Sequence, residues 1–321
     1  MDILIQILIL LGGLCLILLG ANYLVDGSSS IAKKSGISEF VIGLTIVGIG
    51  TSAPEMVVSF ISAIQGKSDM AVGNIVGSNI FNTMFILGVT AIISPLLITR
   101  SNLKRDIPLN IGVTLLLIFL GTNFTLFKTG GSDLISRVDG VILLSIFVWY
   151  LWSAFRYDEN EDTENEEITV KSIPISLLMI TGGLAALIAG GRLFVNSATE
   201  IARIFGVSDK FIAITVMAAG TSMPELATCI VAALKGRGQL ALGNILGSNI
   251  SNILLIIGGA AVINPLSFSG MTTVDLGAVL LGSVFILLSA YMFQKSKLDR
   301  TEGVMLLCME GGYMWYLISN L

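Results

Sequence analysis

Two hexapeptides constrain this chain most: GTSAPE at 50–55 and GTSMPE at 220–225, each inside a stretch apolar enough to cross a bilayer. They stand 170 residues apart, and the offset is not local to them. VGNIVGSNIFN at 72–82 returns as LGNILGSNISN at 242–252, and ISPL at 93–96 as INPL at 263–266. Ile31-Ala32 and Gly36 match Ile201-Ala202 and Gly206. RVDGVILL at 137–144 matches RTEGVMLL at 300–307 at an offset of 163, so the second copy has lost seven residues late on. Nearly the whole chain is a duplication.

Of the 321 residues, 54% are hydrophobic and only 12% charged. Soluble domains carry about 25% charged residues, so this surface cannot face water all round. A spanning helix needs about 20 mostly apolar residues. Breaks at charge and Gly/Pro clusters give ten candidates: 3–24, 39–65, 70–94, 106–126, 134–155, 173–195, 209–234, 238–263, 272–293 and 301–319. The apolar N-terminus lacks a positively charged leader and reads as a first span. With the N-terminus outside, twelve of the 18 Lys and Arg fall on cytoplasmic segments, which favours both termini outside. The division is then a first five-span repeat at 1–155, an acidic cytoplasmic loop at 156–171 and a second repeat at 172–321. Five spans is an odd number, so the second copy enters the membrane from the opposite side. The predicted fold is an all-α integral membrane protein of ten helices in two inverted repeats, with broken helices at the midplane. Secondary transporters of this build hold their substrate where the repeats meet.

The second span is interrupted at mid-membrane by Gly48, Gly50, Thr51, Ser52 and Pro54, and then Glu55 follows. Proline removes a helical hydrogen bond and frees a carbonyl near Gly50. Non-helical backbone at that depth survives only against protein or a watery cavity. Carbonyls, two hydroxyls and a carboxylate within one turn make hard oxygen ligands of the kind that suit Na+ or Ca2+. The seventh span repeats the set with Ala218, Gly220, Thr221, Ser222, Pro224 and Glu225. Intramembrane acids are costly and normally face a pathway or a partner.

The third and eighth spans carry glycines at 73, 77, 243 and 247, the small-xxx-small spacing that lets helices approach closely. Ser78 and Asn82 share a helix face, as do Ser248 and Asn252, and both faces could supply neutral oxygens to the glutamate turns. Asn74, Asn79, Asn244 and Asn249 are expected to bond to neighbouring backbone. Asp26, Asp139, Glu302 and Glu310 are read as lying toward span ends, within reach of water. Cys15, Cys229 and Cys308 have no metal-like spacing and read as small core residues. The chain has no histidine, which removes HExxH zinc sites and Ser-His-Asp triads. The acidic run of seven carboxylates from Asp158 to Glu167 lacks EF-hand spacing and reads as a connector. No basic patch suggests nucleic acid, and no cofactor is implied. The bilayer is the one evident partner, and a monomer is compatible with the sequence.

The paired GTSAPE/GTSMPE and GNIVGSNIFN/GNILGSNISN segments resemble the two α-repeats of the sodium/calcium exchanger family, within the calcium/cation antiporter superfamily. The resemblance covers essentially the whole chain. It implies a non-enzymatic antiporter moving Ca2+ against Na+ by alternating access, with Glu55 and Glu225 shared by both ions. Oxygens at Thr51, Ser52, Thr221 and Ser222 would complete the central sites. The carbonyls of Gly48 and Ala218 and the side chains of Ser78 and Ser248 match flanking Na+ positions, and Asn82 and Asn252 the remaining polar ones. Some members, including K+-dependent ones, carry an acid where this chain has Asn252, so the departure argues against K+ co-transport. The proton-coupled branch has a glutamate where this chain has Val76 and Leu246, which favours Na+ over H+. An H+/Ca2+ antiporter, a cation channel and an intramembrane hydrolase are the alternatives; an inverted pair of dead-end motifs suits a carrier better than a pore.

Overall fold

The computed structural model describes residues 3–122, 133–158, 170–207, 218–292 and 297–320. Helices dominate, because backbone in lipid must pair with itself. They are α1 (Ile3–Ser35), α2 (Glu39–Thr51), α3 (Ala53–Ile64), α4 (Ser68–Ile93) and α5 (Ile107–Gly121, after a wide π-helical turn Asn102–Asp106). Then come α6 (Arg137–Arg156), α7 (Ile173–Ile204), α8 (Ala218–Thr221), α9 (Met223–Leu234), α10 (Gly238–Ile263), α11 (Thr273–Met292) and α12 (Arg300–Ser319). Six of these are long and apolar enough to cross a membrane, and α2 with α3, bent by 47° at their junction, makes a seventh. The other three expected spans hold α5, α8 with α9, and α12, and residues 209–217 of the seventh lie outside the described residues.

Two expected ends move. α1 and α7 do not stop near 24 and 195; they run on through buried serines and small residues to Gly36 and Gly206, whose φ of +65° and +77° turns the chain out of the helix. These two helices pack on each other along their length. A Cβ on Gly13 would lie 2.9 Å from the Gly190 carbonyl, one on Gly20 2.7 Å from that of Gly183, and one on Gly27 2.9 Å from that of Ser176. Seven-residue steps rise along α1 as they fall along α7, so the helices are antiparallel. They are also each other's counterparts at the 170-residue offset, so their opposite course is the inversion that the odd span count requires.

Two short antiparallel ladders interlock the copies. Leu96–Leu97 (β1) pairs with Lys297–Leu298 (β4), and Leu134–Ile135 (β2) with Leu266–Ser267 (β3). β2 and β4 each lead into a capped helix. Ser136 N–H donates to Asp139 at 2.8 Å while the Ser136 hydroxyl accepts from Asp139 N–H, and Asp299 with Glu302 caps α12 in the same way. Asp139 and Glu302 lie at the starts of their spans, as expected, and serve there as helix caps; Asp139 is half-buried, whereas Glu302 is buried away from water. Ser136→Ala should lower stability by about 1 kcal/mol, read as a drop in thermal midpoint of the detergent-solubilised protein; an unchanged midpoint would contradict the capping role.

Glu310 also departs from expectation. It stands in the middle of α12, 6% exposed, on the face shared with Gly303 and Leu306, and Gly303 abuts the Gly88 carbonyl of α4. Asp26 does reach the surface, paired with Lys235 at 2.6 Å. Among the cysteines, Cys229 is buried but Cys15 and Cys308 are exposed. Lipid is as apolar as a protein core, so an apolar neighbourhood does not say which way a side chain faces.

Candidate cation site

The break in the second span is built locally. α2 widens into a π-helical turn at Gly43–Val47, then closes through Gly48–Thr51. Ser52 (φ −76°, ψ 7°) leaves the helical path, and Ser222 (φ −88°, ψ 10°) does the same between α8 and α9. Pro54 and Pro224 fall in the first turn of the following helix, where the missing N–H is no loss. Glu55 and Glu225 share that first turn, where the unpaired N–H groups favour a carboxylate.

Close packing brings the pieces together. A Cβ on Gly48 would lie 2.9 Å from the Ser248 nitrogen, and Cβ atoms on Gly43, Gly243 and Gly247 would fall on the carbonyls of Leu240, Phe40 and Leu44. The glycines of 243–247 thus seat α10 directly on the backbone of α2. The equivalent partner of Gly73 and Gly77, residues 208–217, lies outside the described residues.

At the centre the two copies exchange contacts. The Ser52 hydroxyl donates to Glu225 Oε1 at 3.2 Å, and its counterpart Ser222 donates to Glu55 Oε1 at 3.1 Å. Ser78 reaches Glu55 Oε1 at 3.5 Å, and half-buried Thr221 also bonds to Glu55. Thr51 donates to the Val47 carbonyl at 3.0 Å and stands 3.1 Å from Asn244 Oδ1. Ser248 donates to the Gly48 carbonyl at 3.1 Å. Ala218 opens α8. Asn82 donates to Asn249 Oδ1 at 3.3 Å and Asn252 to Asn79 Oδ1 at 2.9 Å. Counterpart residues trade partners across one point, as a pseudo-two-fold axis there demands.

Both glutamates are fully buried, yet Glu55 Oε2, Glu225 Oε2, Asn82 Oδ1 and Asn252 Oδ1 have no hydrogen-bond partner among the described residues. All four orphans are acceptors. Buried polar groups are ordinarily satisfied, and oxygens without donors are the atoms that a cation would use. No cluster of three or more His, Cys, Asp or Glu exists among the described residues, and the charged side chains gathered here are the two glutamates.

The supporting layer matches expectation only in part. Asn74 donates to the Glu55 carbonyl (3.3 Å) and Asn79 to that of Asn249 (3.1 Å), as expected. Asn249 instead donates to the Thr83 hydroxyl at 2.8 Å, and Asn244 to Cys229 Sγ at 3.2 Å, where the first copy pairs Asn74 with Ser59 at 3.1 Å. Ser59, Thr83 and Cys229 belong to no motif; only the matching of positions 59 and 229 at the repeat offset could point to them.

An inverted-repeat membrane protein with two facing acids and an oxygen-lined centre belongs to the class of secondary cation antiporters. The chain is a member of the sodium/calcium exchanger protein family, whose sequence profile it matches over residues 5–156 and 175–319. It is 36% identical to the uncharacterized membrane protein MJ0091 of Methanocaldococcus jannaschii, over 92% of this chain and 93% of that one. It is 34% identical to the sodium/calcium exchanger MaX1 of Methanosarcina acetivorans, over 94% and 95%. Its fold is similar to that of the sodium-calcium exchanger NCX_Mj soaked with 10 mM Na+ and zero Ca2+, with a TM-score of 0.82, 32% identity and 99% of each chain covered.

Proposed function

We propose that this protein exchanges Na+ for Ca2+ by alternating access, moves net charge in each cycle and does not require K+. The observation that carries the reading is the set of four buried, donorless oxygens on Glu55, Glu225, Asn82 and Asn252. Two carboxylates give the site a charge of about −2 if ionised, which one Ca2+ or two Na+ would cancel. Left empty, each charge would cost several kcal/mol in the interior, and that penalty keeps the empty carrier from switching sides. Thr51, Ser52, Thr221 and Ser222 complete the central shell; the Gly48 and Ala218 carbonyls with Ser78 and Ser248 hold flanking Na+. A third Na+ makes the cycle electrogenic. With asparagine at 82 and 252 and no histidine in the chain, nothing provides the extra acid of K+-dependent relatives or an imidazole for protons. The relatives named as sodium/calcium exchangers support the same ions. The positive-charge count puts both termini outside and 156–171 in the cytoplasm.

The test is Ca2+ uptake into Na+-loaded proteoliposomes. Uptake should need internal Na+, proceed in K+-free medium and ignore an imposed pH gradient. Three Na+ leaving for one Ca2+ entering exports one positive charge, worth about 2.3 kcal/mol per 100 mV, so an inside-positive potential should accelerate uptake. Indifference to potential would remove the third Na+, and uptake driven by H+ alone would overturn Na+ coupling.

A further inference from the structure

Asn79 and Asn249 do more than satisfy nearby backbone. A side-chain amide has an oxygen and an NH2 of nearly the same shape, so its partners decide which way it points. At a cation site that direction matters, because the oxygen attracts the ion and the NH2 repels it. Asn252 and Asn82 each leave the oxygen unpartnered, and in both cases the NH2 is held by a residue of the other copy.

One arm is fixed from its far end. Asn252 donates to Asn79 Oδ1 at 2.9 Å, and Asn79 donates to the main-chain carbonyl of Asn249 at 3.1 Å. A carbonyl has lone pairs and no proton, so it accepts the Asn79 NH2 and nothing else of that amide. The Asn79 oxygen must then face Asn252, Asn252 must answer with its NH2, and its own oxygen is left free. Every member of the arm is buried, so water offers no alternative partner. The other arm ends differently. Asn82 donates to Asn249 Oδ1 at 3.3 Å, and Asn249 donates to the Thr83 hydroxyl at 2.8 Å. A hydroxyl both gives and takes, so this arm is held less firmly. The counterpart of Thr83 at the repeat offset is Ile253, which has no hydroxyl, and there Asn79 turns to backbone instead.

We propose that Asn79 and Asn249 are positioning residues for ion binding, each holding the amide of the opposite copy, Asn252 or Asn82, with its oxygen toward the cation. The inference rests on Asn82 and Asn252 being ligands. Without its partner each amide is free to turn its NH2 inward, and the ion must then reorient it on binding. Groups that orient a ligand from behind commonly change metal affinity by about tenfold or more without touching the ion.

The experiment compares Asn79→Ala, Asn252→Ala and the double variant for Na+-driven Ca2+ uptake in proteoliposomes and for CaCl2 binding by calorimetry in detergent. Asn79→Ala should raise the KM for Ca2+ by about tenfold while the maximal rate per folded protein stays within about twofold of wild type. Because Asn79 acts through Asn252, the double variant should bind CaCl2 no more weakly than Asn252→Ala alone, whereas independent effects multiply. Asn79→Asp keeps an oxygen for Asn252 and, protonated on the oxygen that faces the Asn249 carbonyl, should recover most of the loss. A lower maximal rate with unchanged KM, or losses that multiply in the double variant, would mean that Asn79 serves packing alone and would overturn the proposal. Should Asn79→Ala not accumulate as folded protein, Asn249→Ala, which keeps its main-chain carbonyl, makes the same comparison against Asn82→Ala. If Asn252→Ala binds CaCl2 like the wild type, Asn252 is no ligand and the inference falls while the glutamates stand. If Glu55→Gln binds it normally as well, the central site itself is wrong.

Discussion

Glu55→Gln should reduce Na+-driven Ca2+ uptake by at least about a hundredfold, equivalent to about 2.7 kcal/mol. The substitution keeps the shape of the side chain and removes one of two charges from a fully buried pair. Two unit charges 4 Å apart at an effective dielectric of 20 interact by about 4 kcal/mol, and a divalent ion feels each acid twice over, so the loss exceeds the threshold even after desolvation is discounted. The amide also turns an acceptor into a donor: in the native protein Ser222 and Ser78 donate to Glu55 Oε1, and Oε2 is free for a cation. Stability should move the other way. Without bound ions, removing an uncompensated buried charge raises the thermal midpoint, while the further rise that Ca2+ gives the wild type should vanish. A Glu55→Gln variant with near-normal uptake and intact Ca2+ stabilisation would refute the site.

The two glutamate turns are legible in the sequence because duplication prints them twice. On sequence, Pro54 and Pro224 free a carbonyl; in the structure each also starts the helix whose first turn holds the glutamate. What stays hidden is which side of an apolar helix faces lipid. Glu310 is read on sequence as lying toward a span end, yet its face packs inward with Gly303, and Cys15 and Cys308 face outward although their neighbours are apolar. In water, periodicity marks the buried side; in lipid both sides are apolar and only small or polar residues betray an interface. The glycines at 13, 20 and 27 do so in retrospect, since their seven-residue spacing is one stripe along α1. The wide turns at Asn82–Ile86 and Asn252–Ile257 have no sequence signature. They begin at the two asparagines whose oxygens are orphaned, which fits the frequent presence of π-bulges at functional sites.

Gly247→Ala should prevent the folded protein from accumulating, although it adds a single methyl group. A Cβ there would fall on the Leu44 carbonyl, with the Leu44 Cα at 2.6 Å as well, and no side-chain rotation relieves a clash with backbone. α2 and α10 would have to separate. Overpacking usually costs about 1–3 kcal/mol, but here separation also pulls Ser248 from the Gly48 carbonyl and Thr51 from Asn244, and leaves buried polar groups unpaired in the middle of a membrane protein. The same change at Gly311, where a Cβ meets nothing within 4 Å, is the control and should be tolerated, since alanine favours a helix by about 1 kcal/mol over glycine. Size-exclusion profiles and thermal midpoints of the two variants decide the matter. A monodisperse Gly247→Ala protein with wild-type midpoint and uptake would mean that α2 and α10 do not meet backbone to backbone. The wide turn at Gly43–Val47 would then have no packing partner to explain it, because Gly43 meets the same stretch of α10.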